Sequence, residues 1–311
     1  MTSKGERVVI DKLNVLLEGE GEPIRLTADT KRTDEKFPCV ALMPTGGAVV
    51  AWESGRRGER DVYLRFVNSS GQYISSVEKV NGYNRGNQTK PDVAVNDRGD
   101  VLVTWESEGQ DGDGKGVYAQ RYTPLGIRVG GEIAINQNIK WNQSNPTVEA
   151  LTGGRFVIAW LGEAEQGITP AGTPRMRGHV IGRIFDKEGN SIGNEFQMDG
   201  GQALCSRPRL IAKDGGEFVV AWTQRDEMVM TNLLDIHLRS FNKDGLPLGV
   251  SRRQNNYTEE VQQNIAMANV GGEVLMTWDC GTSDGVSSEV HGRLVSGGAE
   301  FRVNTKVNNQ Q

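Results

Sequence analysis

One short phrase recurs five times along these 311 residues, and no other feature limits the fold so sharply. It reads GGAVVAW ending at Trp52, RGDVLVTW at Trp105, GGRFVIAW at Trp160, GGEFVVAW at Trp222 and GGEVLMTW at Trp278. Successive tryptophans are 53, 55, 62 and 56 residues apart, and a glycine stands six residues before each: Gly46, Gly99, Gly154, Gly216 and Gly272. Upstream, four units open on proline and a short run (PCVALM, PDVAVN, PTVEAL, PRLIAK), while the fifth has Ile265 in IAMANV. Downstream comes a third run with an arginine read in register at Arg65, Arg121, Arg183, Arg239 and Arg293, then a Gly-containing turn and a fourth run such as GEIAIN.

Each unit therefore reads as four short strands separated by Gly, Asn and Asp turns, with no 3.6-residue apolar period long enough for a helix. In the second strand Phe218, Val220 and Trp222 face one way, Val219 and Ala221 the other, so both faces are apolar. A sheet with one wet face would alternate apolar with polar, whereas a sheet stacked between two neighbours buries both faces. Four strands at a period of 50-odd residues mark a β-propeller blade, which cannot bury its own faces but can do so in a ring of copies. The expectation is an all-β, five-bladed propeller over residues 37–311 with an N-terminal β-hairpin extension or partial blade over residues 1–36. Residues 8–30 match only a third and fourth strand, with Lys12 in the arginine position, and the terminal VNNQQ resembles the lead-in to a further blade. A six-bladed ring is the alternative these two segments leave open.

The units resemble a repeat family of large bacterial surface and secreted proteins, of approximate form P-x-V-A, then G-G-x-x-V-x-W-x-S, D-G-x-G, Q-R-[FY] and G-x-E-F-x-V-N. Residues 90–136 carry it best, through PDVAV, VLVTWESEGQDGDGKGVYAQRY and GGEIAIN, and the resemblance spans about residues 37–305. It implies a binding or scaffolding propeller. Five-bladed lectins of the tachylectin type are an analogy of architecture.

Candidate chemistry is sparse. The tryptophans could stack on sugar rings, but each ends an apolar strand and is read as core. The arginines are read as a repeated link between adjacent blades, a role that suits a rigid guanidinium fork. The segment DGDGKG places Asp111 and Asp113 as in a calcium loop but lacks the later bidentate acid, so a solvated turn with no cofactor is expected and Ca²⁺ is the rival. For a glycoside hydrolase drawing acids from the innermost strands, the first position after each opening residue is Cys39, Asp92, Thr147, Arg209 or Ala266. Asp92 is the acid among them, and Glu149 lies two residues beyond Thr147, so a catalytic pair would be Asp92 and Glu149. His179, His237 and His291 all fall in third strands and form no metal spacing or nucleophile relay. The blade-to-blade loops hold Tyr83, Arg85, Trp141 and Tyr257 among amides, and these are the candidate binding residues. They share one face of the ring with the second-to-third strand loops, which vary most.

A net charge of −5 argues against a nucleic-acid or anionic-membrane binder. No apolar run is long enough to span a membrane, and the first residues, MTSKGER, lack the apolar core of a cleavable signal peptide. Cys39, Cys205 and Cys280 are read as buried thiols, with one disulfide as the alternative. The function expected is a non-catalytic propeller that binds protein or glycan, at a cell surface, outside the cell or on a virion, with residues 8–30 contacting another subunit. A lectin with repeated sugar sites and a glycoside hydrolase are the two rivals.

Overall fold

A repeat whose second strand is apolar on both faces has to be sandwiched, and the chain packs consecutive units against one another around one axis, with an apolar cluster at each of four seams. In the computed structural model the N-terminal pair is β1 (Val9–Ile10) and β2 (Ile24–Arg25). Blade 1 comprises β3 (Asp34–Leu42), β4 (Ala48–Arg56), β5 (Glu59–Val67) and β6 (Glu78–Lys79). Blade 2 comprises β7 (Gln88–Val95), β8 (Val101–Glu108), β9 (Lys115–Tyr122) and β10 (Arg128–Ala134). Blade 3 comprises β11 (Gln143–Leu151), β12 (Arg155–Ile168), β13 (Pro174–Phe185) and β14 (Ser191–Gln197). Blade 4 comprises β15 (Leu204–Ala212), β16 (Phe218–Arg225), β17 (Asp235–Phe241) and β18 (Arg252–Arg253). Blade 5 comprises β19 (Val261–Val270), β20 (Glu273–Gly281), β21 (Ser288–Leu294) and β22 (Phe301–Arg302). Every blade is an antiparallel meander with its first strand innermost, so the fold is a five-bladed β-propeller. The structure describes residues 9–10, 24–27, 34–168, 172, 174–201, 204–225, 234–258, 261–281 and 288–304. Lys12, most of the 8–30 extension and the VNNQQ segment lie outside them. No helix among the described residues is long and apolar enough to cross a membrane.

The five tryptophans are buried, none more than 1% exposed. Four of their indole N–H groups are satisfied: Trp105 donates to Gln88 Oε1 (3.1 Å), Trp160 to Gln143 Oε1 (2.9 Å), Trp222 to Gln224 Oε1 (3.0 Å) and Trp278 to Gln262 Oε1 (2.8 Å). A buried ring with a paired polar edge is a core residue, not a ligand platform. The apolar clusters lie between blades: Val93 of blade 2 packs with Val49, Ala51 and Leu64 of blade 1, and Leu210 of blade 4 with Val157 and Ala159 of blade 3. The recurrent glycines make the tight turn from first to second strand, all five with φ between +78° and +88°, where a side chain would be strained.

Arginine links the blades as expected. Arg183 Nη1 donates to Ile135 O (2.9 Å), Arg239 Nη1 to Met198 O (3.2 Å) and Arg293 Nη1 to Gln254 O (2.7 Å), each time to the end of the preceding blade's fourth strand. Arg121 departs from the series. Arg65 stands opposite Val50 in the ladder, but Arg121 stands opposite Leu102, one step out of phase, and Gln120 occupies the register position. Arg128 from β10 takes over the link, donating to Val80 O (2.7 Å) and to Gln120 Oε1 (3.3 Å).

The N-terminal segment joins the same scheme. Arg65 Nη1 donates to Leu26 O (2.9 Å), and Leu26 is fully buried with Val50 and Trp52, so residues 24–27 occupy the place that a preceding blade's fourth strand would fill. Residues 24–27 thus dock on their own ring, while the rest of the 8–30 segment, read as contacting another subunit, lies largely outside the described residues. On the inner strand of blade 1 the seam is less covered. Val40 is 59% and Leu42 79% exposed, whereas Val93, Val148 and Leu210, which stand in the position of Val40, are at most 6% exposed.

Candidate functional site

The innermost strands all carry the same irregularity. Each has a register shift, between Lys36 and Cys39, Thr89 and Asp92, Ser144 and Thr147, Ser206 and Arg209, and Gln263 and Ala266. At each bulge one residue adopts a left-handed backbone: Phe37 (φ 48°), Lys90 (50°), Asn145 (52°), Arg207 (50°) and Asn264 (55°). Proline follows four of them, and a proline, having no N–H for the ladder, is accommodated within a strand at a bulge. A left-handed non-glycine residue costs roughly 1–3 kcal/mol, and such strain gathers where a side chain must be re-aimed. Here all five line one cavity of about 650 Å³ at the axis, on the face where the blade-to-blade loops enter.

Two acids that follow the recurrent tryptophan brace this ring from below. Glu53 Oε2 accepts the N–H of Lys90 (2.9 Å) and Glu106 Oε2 that of Asn145 (3.1 Å). Glu106 is also paired with Lys115 (2.6 Å) and Lys90 (3.6 Å); burial alone would raise its pKa, but these two cations outweigh it and hold the carboxyl below its ordinary range. Glu53 is raised by burial despite Arg60 at 3.1 Å. Around the rim, Lys90 Nζ donates to Asn145 Oδ1 (2.8 Å) and Arg207 Nη1 to Asn264 Oδ1 (2.7 Å), while Phe37 is 54% exposed.

One step deeper the ring reads Cys39, Asp92, Thr147, Arg209 and Ala266, and all five line the cavity. Asp92 Oδ1 accepts the N–H of Val93 (3.0 Å) and Oδ2 that of Val148 in the next blade (3.0 Å). Both oxygens are thus engaged in the wall. Burial still raises its pKa, against these bonds, the Thr147 hydroxyl and Arg209. Glu149 lines the same cavity where the other inner strands carry Ala41, Ala94, Ile211 and Ala268. Burial, then the neighbouring Asp92, pushes its pKa up to about 8, so it holds a proton at neutral pH. Cys39 is raised well above the usual thiol range by burial and by Asp92, which makes it a poor nucleophile.

The structure brings Asp92 and Glu149 together and leaves the other sequence candidates off the cavity. Tyr83 donates from its hydroxyl to Gly109 O (3.3 Å), and Arg85 is exposed in the same loop. Trp141 has a left-handed backbone (φ 65°), and its N–H donates to Asp113 Oδ2 (3.1 Å). Asp111 Oδ2 accepts from Asn136 Nδ2 (3.2 Å). Tyr257, 60% exposed, stands edge-on to His291 at 5.7 Å. That histidine lines a second cavity of about 400 Å³ and bridges two acids, Glu300 through Nδ1 (2.5 Å) and Glu289 through Nε2 (3.0 Å). Sequence reasoning missed the bulge ring and its cations; the signal was the residue before each opening proline, which no single residue type marks.

No family model and no curated protein matches this chain, so the repeat-family resemblance rests on the sequence pattern alone. Solved structures do match it over most of its length. A protein of unknown function from Dyadobacter fermentans superposes with a TM-score of 0.59 at 12% identity, covering 87% of this chain and 83% of that one. An ulvan lyase bound to an oligosaccharide gives 0.56 at 10% identity, covering 87% and 69%. An α-L-arabinanase from Penicillium chrysogenum, complexed with arabinobiose, gives 0.55 at 12% identity, covering 88% and 82%. What the chain shares with all three is the propeller fold.

Proposed function

We propose that this chain is a glycan-binding propeller that takes its ligand at the loop-side mouth of the central channel and does not cleave it. The observation that carries this reading is the ring of five left-handed bulge residues, Phe37, Lys90, Asn145, Arg207 and Asn264, turned onto one cavity. An exposed aromatic face with amides and cations around it offers a stacking surface and hydrogen bonds together, the combination a pyranose or furanose ring uses. Because the five are of four types, the site is asymmetric, unlike a lectin with one sugar pocket per blade. Tyr83, Arg85, Trp141 and Tyr257 lie in loops entering the same face and would act as outer contacts. Two of the similar folds belong to enzymes whose structures hold an oligosaccharide, which supports the choice of ligand. A protein partner at a cell surface or on a virion is the companion proposal.

Glycoside hydrolysis is the second reading, favoured by one feature. Glu149 is protonated at neutral pH beside Asp92, the state required of a general acid. Against it, both Asp92 oxygens are engaged by backbone N–H groups, leaving a poor nucleophile or base. A glycan array with the full chain and with Phe37→Ala tests the proposal. Binding that Phe37→Ala abolishes supports it. Absence of any bound glycan sinks it, and release of reducing ends from a bound glycan, lost in Glu149→Gln, replaces it with the hydrolase.

A further inference from the structure

The channel mouth has a charge opposite to that of the whole chain. The protein carries a net −5, yet the inner strand of blade 4 presents Arg207 and Arg209, both exposed, at two successive levels of the cavity. Among the described residues neither forms an ion pair. Arg207 Nη1 donates to the amide oxygen of Asn264 (2.7 Å) and Arg209 Nη1 to the carbonyl of Pro208 (3.2 Å), so each guanidinium keeps donors of its fork for something else. A third cation, Lys90, adds to the field from the opposite side of the ring, although Glu106 at 3.6 Å partly compensates it. Three cations, Lys90, Arg207 and Arg209, outnumber the two acids of the cavity lining, Asp92 and Glu149. Asp92 is capped by two backbone N–H groups in the wall, within electrostatic reach of Arg209, and Glu149 is neutral at pH 7.

We infer that the mouth is built for an acidic oligosaccharide, with Arg207 and Arg209 taking its carboxylate or sulfate groups and Phe37 stacking on a sugar ring. This rests on the glycan-binding reading above and adds the charge class of the ligand. An arginine fork matches the paired oxygens of a carboxylate or sulfate, and two forks at successive depths fit charged groups on neighbouring residues of a chain. A neutral glycan would leave both guanidinium groups to water and gain nothing from the field.

The test compares matched probes on the full chain by titration calorimetry: oligogalacturonides against their carboxyl-reduced forms, and sulfated galactan oligosaccharides against their desulfated forms. The acidic member of at least one pair should bind about tenfold tighter or more, with affinity falling as salt is raised. Binding confined to the first pair assigns a carboxylate, and confined to the second a sulfate ester. Arg207→Gln and Arg209→Gln should each erase most of the preference, Arg207→Lys should restore part of it, and Arg98→Gln, in the exposed turn between β7 and β8 and away from the cavity, should leave it intact. Melting curves alongside separate lost binding from lost folding. Equal affinity for acidic and neutral members, with the arginine variants unaffected, overturns the charge assignment while leaving a glycan binder. No affinity for any glycan on the array overturns the parent reading as well.

Discussion

Glu106 Oε2 accepts the backbone N–H of Asn145 at 3.1 Å, and so ties the second strand of blade 2 to the bulge that opens blade 3. The same carboxylate holds Lys115 at 2.6 Å and the Thr89 hydroxyl at 2.9 Å, with its side chain 1% exposed. It is therefore the brace of the channel rim as well as of the seam. Replacing it with Ala leaves a buried N–H without its acceptor, while the two lysines, a third exposed, recover some solvation. Glu106→Ala should cost about 2–3 kcal/mol in urea denaturation and weaken ligand binding at the mouth. An unchanged midpoint would remove the brace from the account.

Arginine links predict a graded series. Arg239 donates to Met198 O and Asp199 O, both at 3.2 Å, and its variant Arg239→Met should lose about 1.5–3 kcal/mol. Arg121 instead reaches the exposed turn at Lys187 and Glu188, and Arg121→Met should cost under about 1 kcal/mol. In blade 2 the destabilising change should be Arg128→Met, because that residue bonds Val80 O. Equal losses at Arg121 and Arg239 would contradict the one-step offset that separates Arg121 from the other arginines in the ladder.

These contrasts show what the repeat reveals and what it hides. The blades are readable because apolar runs of period two, punctuated by glycine, come back five times, and both faces of the second strand are apolar. The tryptophans can be assigned to the core for the same reason. Register is less secure. Arg121 follows Gln120 directly, and with loops of different length after each tryptophan the arginine alone does not show that Gln120 is the one that shares a face with Arg65. Asp92 and Glu149 emerge from strand position alone. The rim does not, because Phe37, Lys90, Asn145, Arg207 and Asn264 share a backbone conformation and not a chemistry, and a backbone angle leaves little trace in one sequence.

Leu26 tests the N-terminal docking. It is fully buried beside Trp52, and Arg65 bonds its carbonyl. Leu26→Asp places a charge in that cluster and should destabilise the chain by about 3 kcal/mol or more. A melting curve unchanged by the substitution would return residues 24–27 to the role of a free arm available to another subunit.

Glu149 gives the sharpest pH dependence. Its pKa in the folded chain, about 8, lies above the ordinary value of 4.5, so between those two pH values the folded state holds a proton that the unfolded state has released. Stability contributed in this way is complete below about pH 4.5 and declines as pH rises, by up to about 1.4 kcal/mol per unit for one proton, until the folded group ionises. Asp92, also raised by burial, contributes in the same direction over a lower range, and Thr147, Arg209, Cys39, Lys90 and Asn145 are polar groups that line the cavity with it. Glu149→Gln keeps the shape of the protonated side chain and cannot ionise. The variant should match the parent in melting temperature near pH 4.5 and exceed it increasingly towards pH 8. Two melting curves that run parallel from pH 4.5 to 8 would show that Glu149 is ionised in the folded protein, and the channel mouth would then set Lys90, Arg207 and Arg209 against both Asp92 and Glu149.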